Sequence, residues 1–388
     1  MNNITGPPVE GTDFFGREKE LAFAWRHIKK GNSHILAAPR RVGKSSFGKR
    51  LLTKADKEGW NTLEINLEEI TSEEAFISLF VEKLEQESWW TKFKTKSKEK
   101  IEKLLSSIKG TVEFEGVRGT IEWQKSKENV YDKLKQLLDH KANTLIMIDE
   151  VTILLNSYLQ DKENGLKNVT FFLNWLRSFR QISGTKIRWV FCSSIGLDNF
   201  TNIHGLSYTF NDVPPFPLGA FDTLTGQALL EKLAKSDDLA ITPEIIQYML
   251  KKLGWLLPYF IQILHYKVNY LVQIQSLPIS KKTIDIAYEQ LMSENYLNTW
   301  DERLKDYNNL ENSGRLILNR ISQHSKGEHR ANLISILNVS INDPNKAELI
   351  VAKVLKMLIN DGYLVEVKGK YLFRSPLLRD FWFHRFVK

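Results

Sequence analysis

His34-Ile-Leu-Ala-Ala-Pro-Arg-Arg-Val-Gly-Lys-Ser-Ser-Phe47 is the stretch on which the fold turns. A short apolar strand runs into a tight loop, and a helix starts at Gly43. A phosphate fits at that junction. In the pattern G-x-x-x-x-G-K-[ST] the loop's backbone N–H groups surround a β-phosphate, the lysine reaches the β/γ oxygens and the hydroxyl ligates Mg2+. The helix N-terminus adds unpaired donors and a positive dipole end. Gly43, Lys44 and Ser45 match this pattern, while Ala38 stands where the first glycine would be. A Gly-Lys-Ser/Thr triplet alone arises by chance in roughly one chain in five of this length, so a second stretch is needed.

Thr144-Leu-Ile-Met-Ile-Asp-Glu150 supplies it, an apolar run of strand length that ends in two carboxylates. A buried parallel strand ending in Asp149 can hold the water shell of Mg2+ from its C-terminal tip, and Glu150 can orient or deprotonate an attacking water. The plainer alternative is that the two acids cap a core strand and open the next turn.

Four segments carry a specific resemblance: Phe14-Phe-Gly-Arg-Glu-Lys-Glu20, Ala38-Pro-Arg-Arg-Val-Gly-Lys-Ser-Ser46, Ile148-Asp-Glu150 and Ser194-Ile-Gly-Leu197. Together they resemble the archaeal-type P-loop ATPases of the AAA+/STAND group, over most of the chain except the Lys-rich part after residue 88. That family writes Ala where other P-loops have Gly, which accounts for Ala38. The resemblance implies ATP and Mg2+ as cofactors, with Ala38, Pro39, Arg40, Arg41, Val42, Gly43, Lys44, Ser45 and Ser46 around the nucleotide. It places Gly16 and Arg17 near the adenine, although a solvated arginine at a helix start is an equal reading of Arg17. Ser193 or Ser194, ending the strand from Ile187, would sense the γ-phosphate from between the two motif strands. The segment Leu253-Gly-Trp-Leu-Leu-Pro258 resembles the family's Gly-x-Pro box, stretched by two residues, and brings Pro258 toward the nucleotide. No arginine follows Pro258 in its helix. Charge on the γ-phosphate would then come from Arg177 or Arg180 of a second subunit, implying an ATP-dependent homo-oligomer, or from Arg40 and Arg41 of the loop itself.

The fold class expected is α/β, a P-loop NTPase (ASCE/AAA+-like) parallel sheet with a helical lid and a C-terminal winged helix-turn-helix. Residues 1–215 form the ATPase core, with 88–125 an insertion that holds a lysine run and a small hairpin over Thr111–Trp123. The lysine run reads first as a solvated face and second as a contact for nucleic acid or a partner protein. The proline-rich Asp212-Val-Pro-Pro-Phe-Pro-Leu218 joins the core to a lid over 216–309. Residues 310–388 show three helical stretches and two strands bounded by Gly362. Lys346, Lys353 and Lys356 lie at or near the outer face of the third helix, with Leu349, Val351, Val354, Leu355, Met357 and Leu358 available for the core. DNA and a partner protein are both open as its ligand.

Composition limits the rest. The 388 residues are 42% hydrophobic and 26% charged, and no apolar run reaches the length of a bilayer span. The N-terminus shows no secretory pattern, and a single cysteine, Cys192, excludes an internal disulfide, so a cytoplasmic protein without a membrane partner is expected. Net charge is +8, and residues 311–388 hold thirteen Lys/Arg against seven Asp/Glu. The expected activity is a Mg-dependent ATP-binding and ATP-hydrolysing switch that couples nucleotide state to assembly or to partner or DNA contact. The rival is a winged-helix DNA-binding regulator in which ATP binding is mainly structural.

Overall fold

The computed structural model describes the backbone of residues 1–96, 98–118, 120–138, 142–193 and 196–388, and the side chains of these outside 37, 93–98, 100 and 113–126. Two compact units emerge. One, the sheet unit, comprises Glu18–Ala37 and Lys44–Pro217; the other comprises Met1–Arg17, Ala38–Gly43 and Leu218–Lys388.

Strands β1 (His34–Ala37), β2 (Asn61–Asn66), β3 (Thr144–Asp149), β4 (Ile187–Cys192) and β5 (Pro215–Pro217) make one sheet in the order β2-β3-β4-β1-β5. Every pairing is parallel. Parallel neighbours need crossovers, and helices supply them: α1 (Glu18–Lys29) precedes β1, α2 (Lys44–Lys57) follows it, and α3 (Glu73–Gln86) follows β2. Between β3 and β4 run α7 (Val151–Tyr158) and α8 (Gly165–Arg180), and α9 (Leu197–Ile203) follows β4. All six residues of β3 are buried, which explains its unbroken apolar run. Gly48 lets α2 lie close to this strand, because an added Cβ there would fall 2.6 Å from the Met147 sulfur.

The segment between α3 and β3 corrects one expectation. Residues 111–118 and 120–123 are helical and form no hairpin: α4 (Ser88–Lys96) is followed by α5 (Lys98–Arg118) and α6 (Thr120–Leu138). The alternation at 111–123 is short, whereas Ile101, Leu105 and Ile108 on α5 and Val130, Leu134 and Leu137 on α6 are buried at helical spacing. A seam of that length outweighs a few alternating residues. The side chains of Phe114, Val117, Ile121 and Trp123, and of Lys94, Lys96, Lys98 and Lys100, lie outside the described residues, as does Ser194.

The second unit is mainly helical. It contains α10 (Thr223–Ser236), α11 (Pro243–Leu253), α12 (Pro258–Gln273), α13 (Lys281–Ser293) and α14 (Asn298–Glu302). After these come α15 (Glu311–Ser322), α16 (Arg330–Ile341), α17 (Pro344–Asn360) and α18 (Pro376–Phe386). Strands β6 (Glu328–His329), β7 (Leu364–Val367) and β8 (Lys370–Phe373) pair antiparallel in the order β6-β8-β7. The helix starts follow local chemistry: Asp222, Thr242 and Asp343 each accept an N–H three residues on, the last two followed by Pro at the first helical position. On α17, Val351, Val354, Leu355, Met357 and Leu358 are buried, but Leu349 is 72% exposed. It is not a core residue, because the helical phase puts it between Lys346 and Lys353 on the outer face.

Candidate functional site

Helix α2 starts at Lys44 and has no acidic residue in its first turn, so nothing in that turn offsets its positive end. Lys44 and Ser46 are buried. The Ser45 hydroxyl donates a hydrogen bond to the carboxylate of Asp149 at the C-terminal tip of β3. Burial pushes the Asp149 carboxyl above its usual range; the Ser45 bond and the nearby Lys44 charge oppose that shift, and Glu150 adds to it. Glu150 follows in the left-handed region at φ 56°, an uncommon conformation for a non-glycine residue, and its N–H donates to the Asp149 side chain at 3.0 Å.

The strand order places β4 between β3 and β1, so Ser193, just past β4, lies between the ends of the two motif strands. Cys192 before it is buried, its thiol pushed up by burial first and then by Asp149, with Lys44 acting the other way. These charges therefore gather at one end of the sheet. Ser193 shares a short hydrogen bond with the Thr152 hydroxyl, both groups being buried. Thr152 escapes a reading of the sequence alone; its signal is a lone hydroxyl inside the apolar run Val151–Leu155.

Residues Ala38–Gly43 belong to the second unit, and their contacts there are specific. Arg17 is buried, neither solvated nor exposed, and donates to the carbonyls of Gly219 (2.7 Å) and Val42 (3.4 Å) with its guanidinium 4.5 Å from the Phe221 ring centre. Its neighbour Gly16 packs near Thr225 and Phe221. The charge of Arg40 is felt by Asp306. Arg41, in the left-handed region at φ 66°, stacks on Tyr259, the residue after Pro258 at the start of α12.

Arg180 is engaged internally. It forms a two-pronged pair with Asp212 (2.9 and 3.1 Å) and stacks on Phe210, so it is unsuited to reach a second subunit. Arg177 is half-buried beside Tyr208.

Among the described residues no group of three His, Cys, Asp or Glu side chains is placed to hold a metal ion alone. The Ser45–Asp149 pair nevertheless fits Mg2+, which keeps several waters and takes one or two protein oxygens beside those of a phosphate. Among the same residues no helix is long and apolar enough to cross a membrane.

No family model matches the chain, and no curated protein matches it in sequence. Solved structures do resemble it. The Walker-type ATPase of Pyrococcus abyssi superposes with a TM-score of 0.65 at 15% identity, over 98% of this chain and 99% of its own. The Aeropyrum pernix ORC2 protein, in ADPNP–ADP complexes, gives 0.55 at 12% identity over 97% and 98%. At such identities the likeness is one of fold, and that fold is the α/β P-loop NTPase.

Proposed function

We propose that the chain is a Mg-dependent ATP-binding and ATP-hydrolysing switch of the AAA+/STAND kind, with a core over 1–215, a helical lid over 216–309 and a winged helix over 310–388. The observation that carries this reading is the Ser45–Asp149 hydrogen bond beside Lys44 at the tip of β3. A hydroxyl, a carboxylate and an ammonium at a helix N-terminus are the donor set that a Mg-nucleotide requires.

In this reading the backbone N–H groups of residues 40–46 and the Lys44 ammonium bind the β- and γ-phosphates. Ser45 and Asp149 would hold Mg2+, Asp149 through the ion's water shell, and the ion would supply neutralisation of charge on the phosphate oxygens. Glu150 accepts a proton from water as the water oxygen bonds to the γ-phosphorus; the bond from that phosphorus to the β–γ bridging oxygen breaks, and ADP leaves. Ser193, steadied by Thr152, donates to the γ-phosphate. Arg17 shapes the loop through the Val42 carbonyl. A regulator with purely structural nucleotide has no use for Glu150, which disfavours that rival.

The exposed Lys346, Lys353 and Lys356 on α17, with the basic surplus of residues 311–388, favour duplex DNA as the partner of the winged helix. With Arg180 engaged, Arg177 is the arginine left for an in-trans role in an ATP-dependent homo-oligomer. A reducing, cytoplasmic setting suits the single buried Cys192.

The decisive experiment is equilibrium binding of ATP with and without Mg2+, wild type beside Lys44→Ala. Binding is expected to need Mg2+ and to vanish in the variant. Equal Mg-ATP affinity in both proteins would sink the assignment.

A further inference from the structure

The loop between β1 and α2 holds a long cationic residue in a conformation that suits glycine. Arg41 sits at φ 66°, and its Nε is buried without a hydrogen-bond partner. Its guanidinium carbon lies 4.4 Å from the ring centre of Tyr259. That ring is itself fixed: Tyr259 is buried in the first turn of α12, directly after Pro258, and its hydroxyl donates to the Tyr296 carbonyl at 3.2 Å. Two residues earlier in the loop, Pro39 abuts Gly362, where an added Cβ would stand 2.8 Å from the proline ring and 3.0 Å from Trp255. The loop is thus gripped at Pro39 and at Arg41.

We propose that Tyr259 is a positioning residue for the phosphate-binding loop: its ring takes the Arg41 guanidinium and holds Arg41 in the left-handed conformation that orients the N–H groups of residues 42–46. The proposal rests on the nucleotide reading above for its consequence, though not for its geometry. The helix after Pro258 carries no arginine to reach a phosphate. Here the polarity of that link is reversed, with the cation on the loop and its π-acceptor on the lid helix. An aromatic face attracts a desolvated guanidinium strongly enough to offset an unfavourable φ. Phe at 259 would lose the hydroxyl bond to Tyr296 but keep the contact, because the ring makes it and burial in the first turn of α12 still holds the ring. Leu would lose the contact.

Amide hydrogen exchange over residues 38–46 tests this in the nucleotide-free, full-length protein, with Mg-ATP binding measured alongside. Tyr259→Leu should speed exchange of the loop amides and weaken Mg-ATP binding by roughly three- to thirtyfold, the range of a lost cation–π contact. Tyr259→Phe should stay within about twofold of wild type, since the cation–π face is retained. In an Arg41→Gly background the Leu substitution should have no further effect, because the group it acts through is gone. If Leu at 259 prevents folding, Tyr259→Met, apolar and unbranched, takes its place in the same cycle. Wild-type exchange in the Leu variant, or an undiminished effect of Leu beside Arg41→Gly, would overturn the positioning role. A wild-type chain that binds no nucleotide would overturn the functional reading instead, and the exchange rates would still decide the role of Tyr259.

Discussion

The tip of β3 and the outer face of α17 both carry charged side chains, yet the chain treats them in opposite ways. Asp149 is 7% exposed, and its carboxyl is held against burial by the Ser45 hydroxyl and the nearby Lys44 charge. Lys346, Lys353 and Lys356 stand in solvent, on a helix whose other side fills with Val351, Val354 and Leu358. A buried charge costs stability, and its retention points to a role that a neutral residue could not fill. An exposed lysine costs the fold almost nothing, so its presence says little until a partner is offered. Function can therefore be argued from geometry at β3, while at α17 it must be argued from binding.

The largest expected effect breaks the β3 side of this contrast. Glu150→Gln should leave Mg-ATP binding intact and slow hydrolysis by about a hundredfold or more, the scale of a lost general base. Single-turnover hydrolysis at the wild-type rate would return Glu150 to a turn-forming role. Asp149→Asn is expected to remove Mg-dependent turnover while raising the melting temperature of the nucleotide-free protein at neutral pH. The sign follows from linkage. A folded carboxyl pKa above its unfolded value means that the native state holds the proton more tightly, so that stabilisation is present at low pH and lost as pH rises through the folded pKa. Above that pKa the buried charge destabilises the wild type and Asn does not. The gap between the two melting curves should close as pH falls, and a variant that melts lower at every pH would contradict the burial argument.

Thr152→Val comes next. It leaves the buried Ser193 hydroxyl without its Thr152 partner, a loss worth about 1–3 kcal/mol. Denaturant unfolding should show it, together with a slower turnover at unchanged Mg-ATP affinity. Thr152→Ser, which keeps the hydroxyl, should recover most of both; failure of Ser to do so would detach Thr152 from Ser193.

What the sequence made legible was local. The strand, loop and helix from His34 to Phe47 are contiguous, and β3 announces itself by an apolar run ending in Asp149. The helix starts at Asp222, Thr242 and Asp343 are local too, each side chain accepting an N–H three residues on. The rest depends on partners distant in the chain. Arg180 looks like any helix-end arginine until Asp212 is placed beside it. Thr152 meets Ser193, and Arg41 meets Tyr259, only after the chain has folded back. The hairpin read at 111–123 failed because alternation over a few residues competes poorly with a buried helical seam on both sides. At α17 the existence of the helix was plain, but its apolar residues outnumber what one face can bury, so the sequence left open which of them turns outward.

That ambiguity yields the sharpest check on the exposed side of the comparison, and it turns on the smallest expected effect, that of Leu349→Ala. Reversing Lys346, Lys353 and Lys356 to Glu should weaken duplex DNA binding and lower the magnitude of its salt slope by about three, roughly one per lost phosphate contact. Leu349→Ala should leave that slope unchanged, since leucine releases no counterion. Its effect on stability should stay within about 0.5 kcal/mol, the scatter of surface substitutions. Leu358→Ala, at a fully buried position on the same helix, should instead cost about 2–5 kcal/mol. Denaturant unfolding of the two variants side by side reads out the helical phase directly. A Leu349→Ala protein destabilised as much as Leu358→Ala would mean that residue 349 faces the core. Lys346 and Lys353, three residues before and four after it on the same stripe, would then turn inward with it, and the DNA contact proposed for this helix would fall.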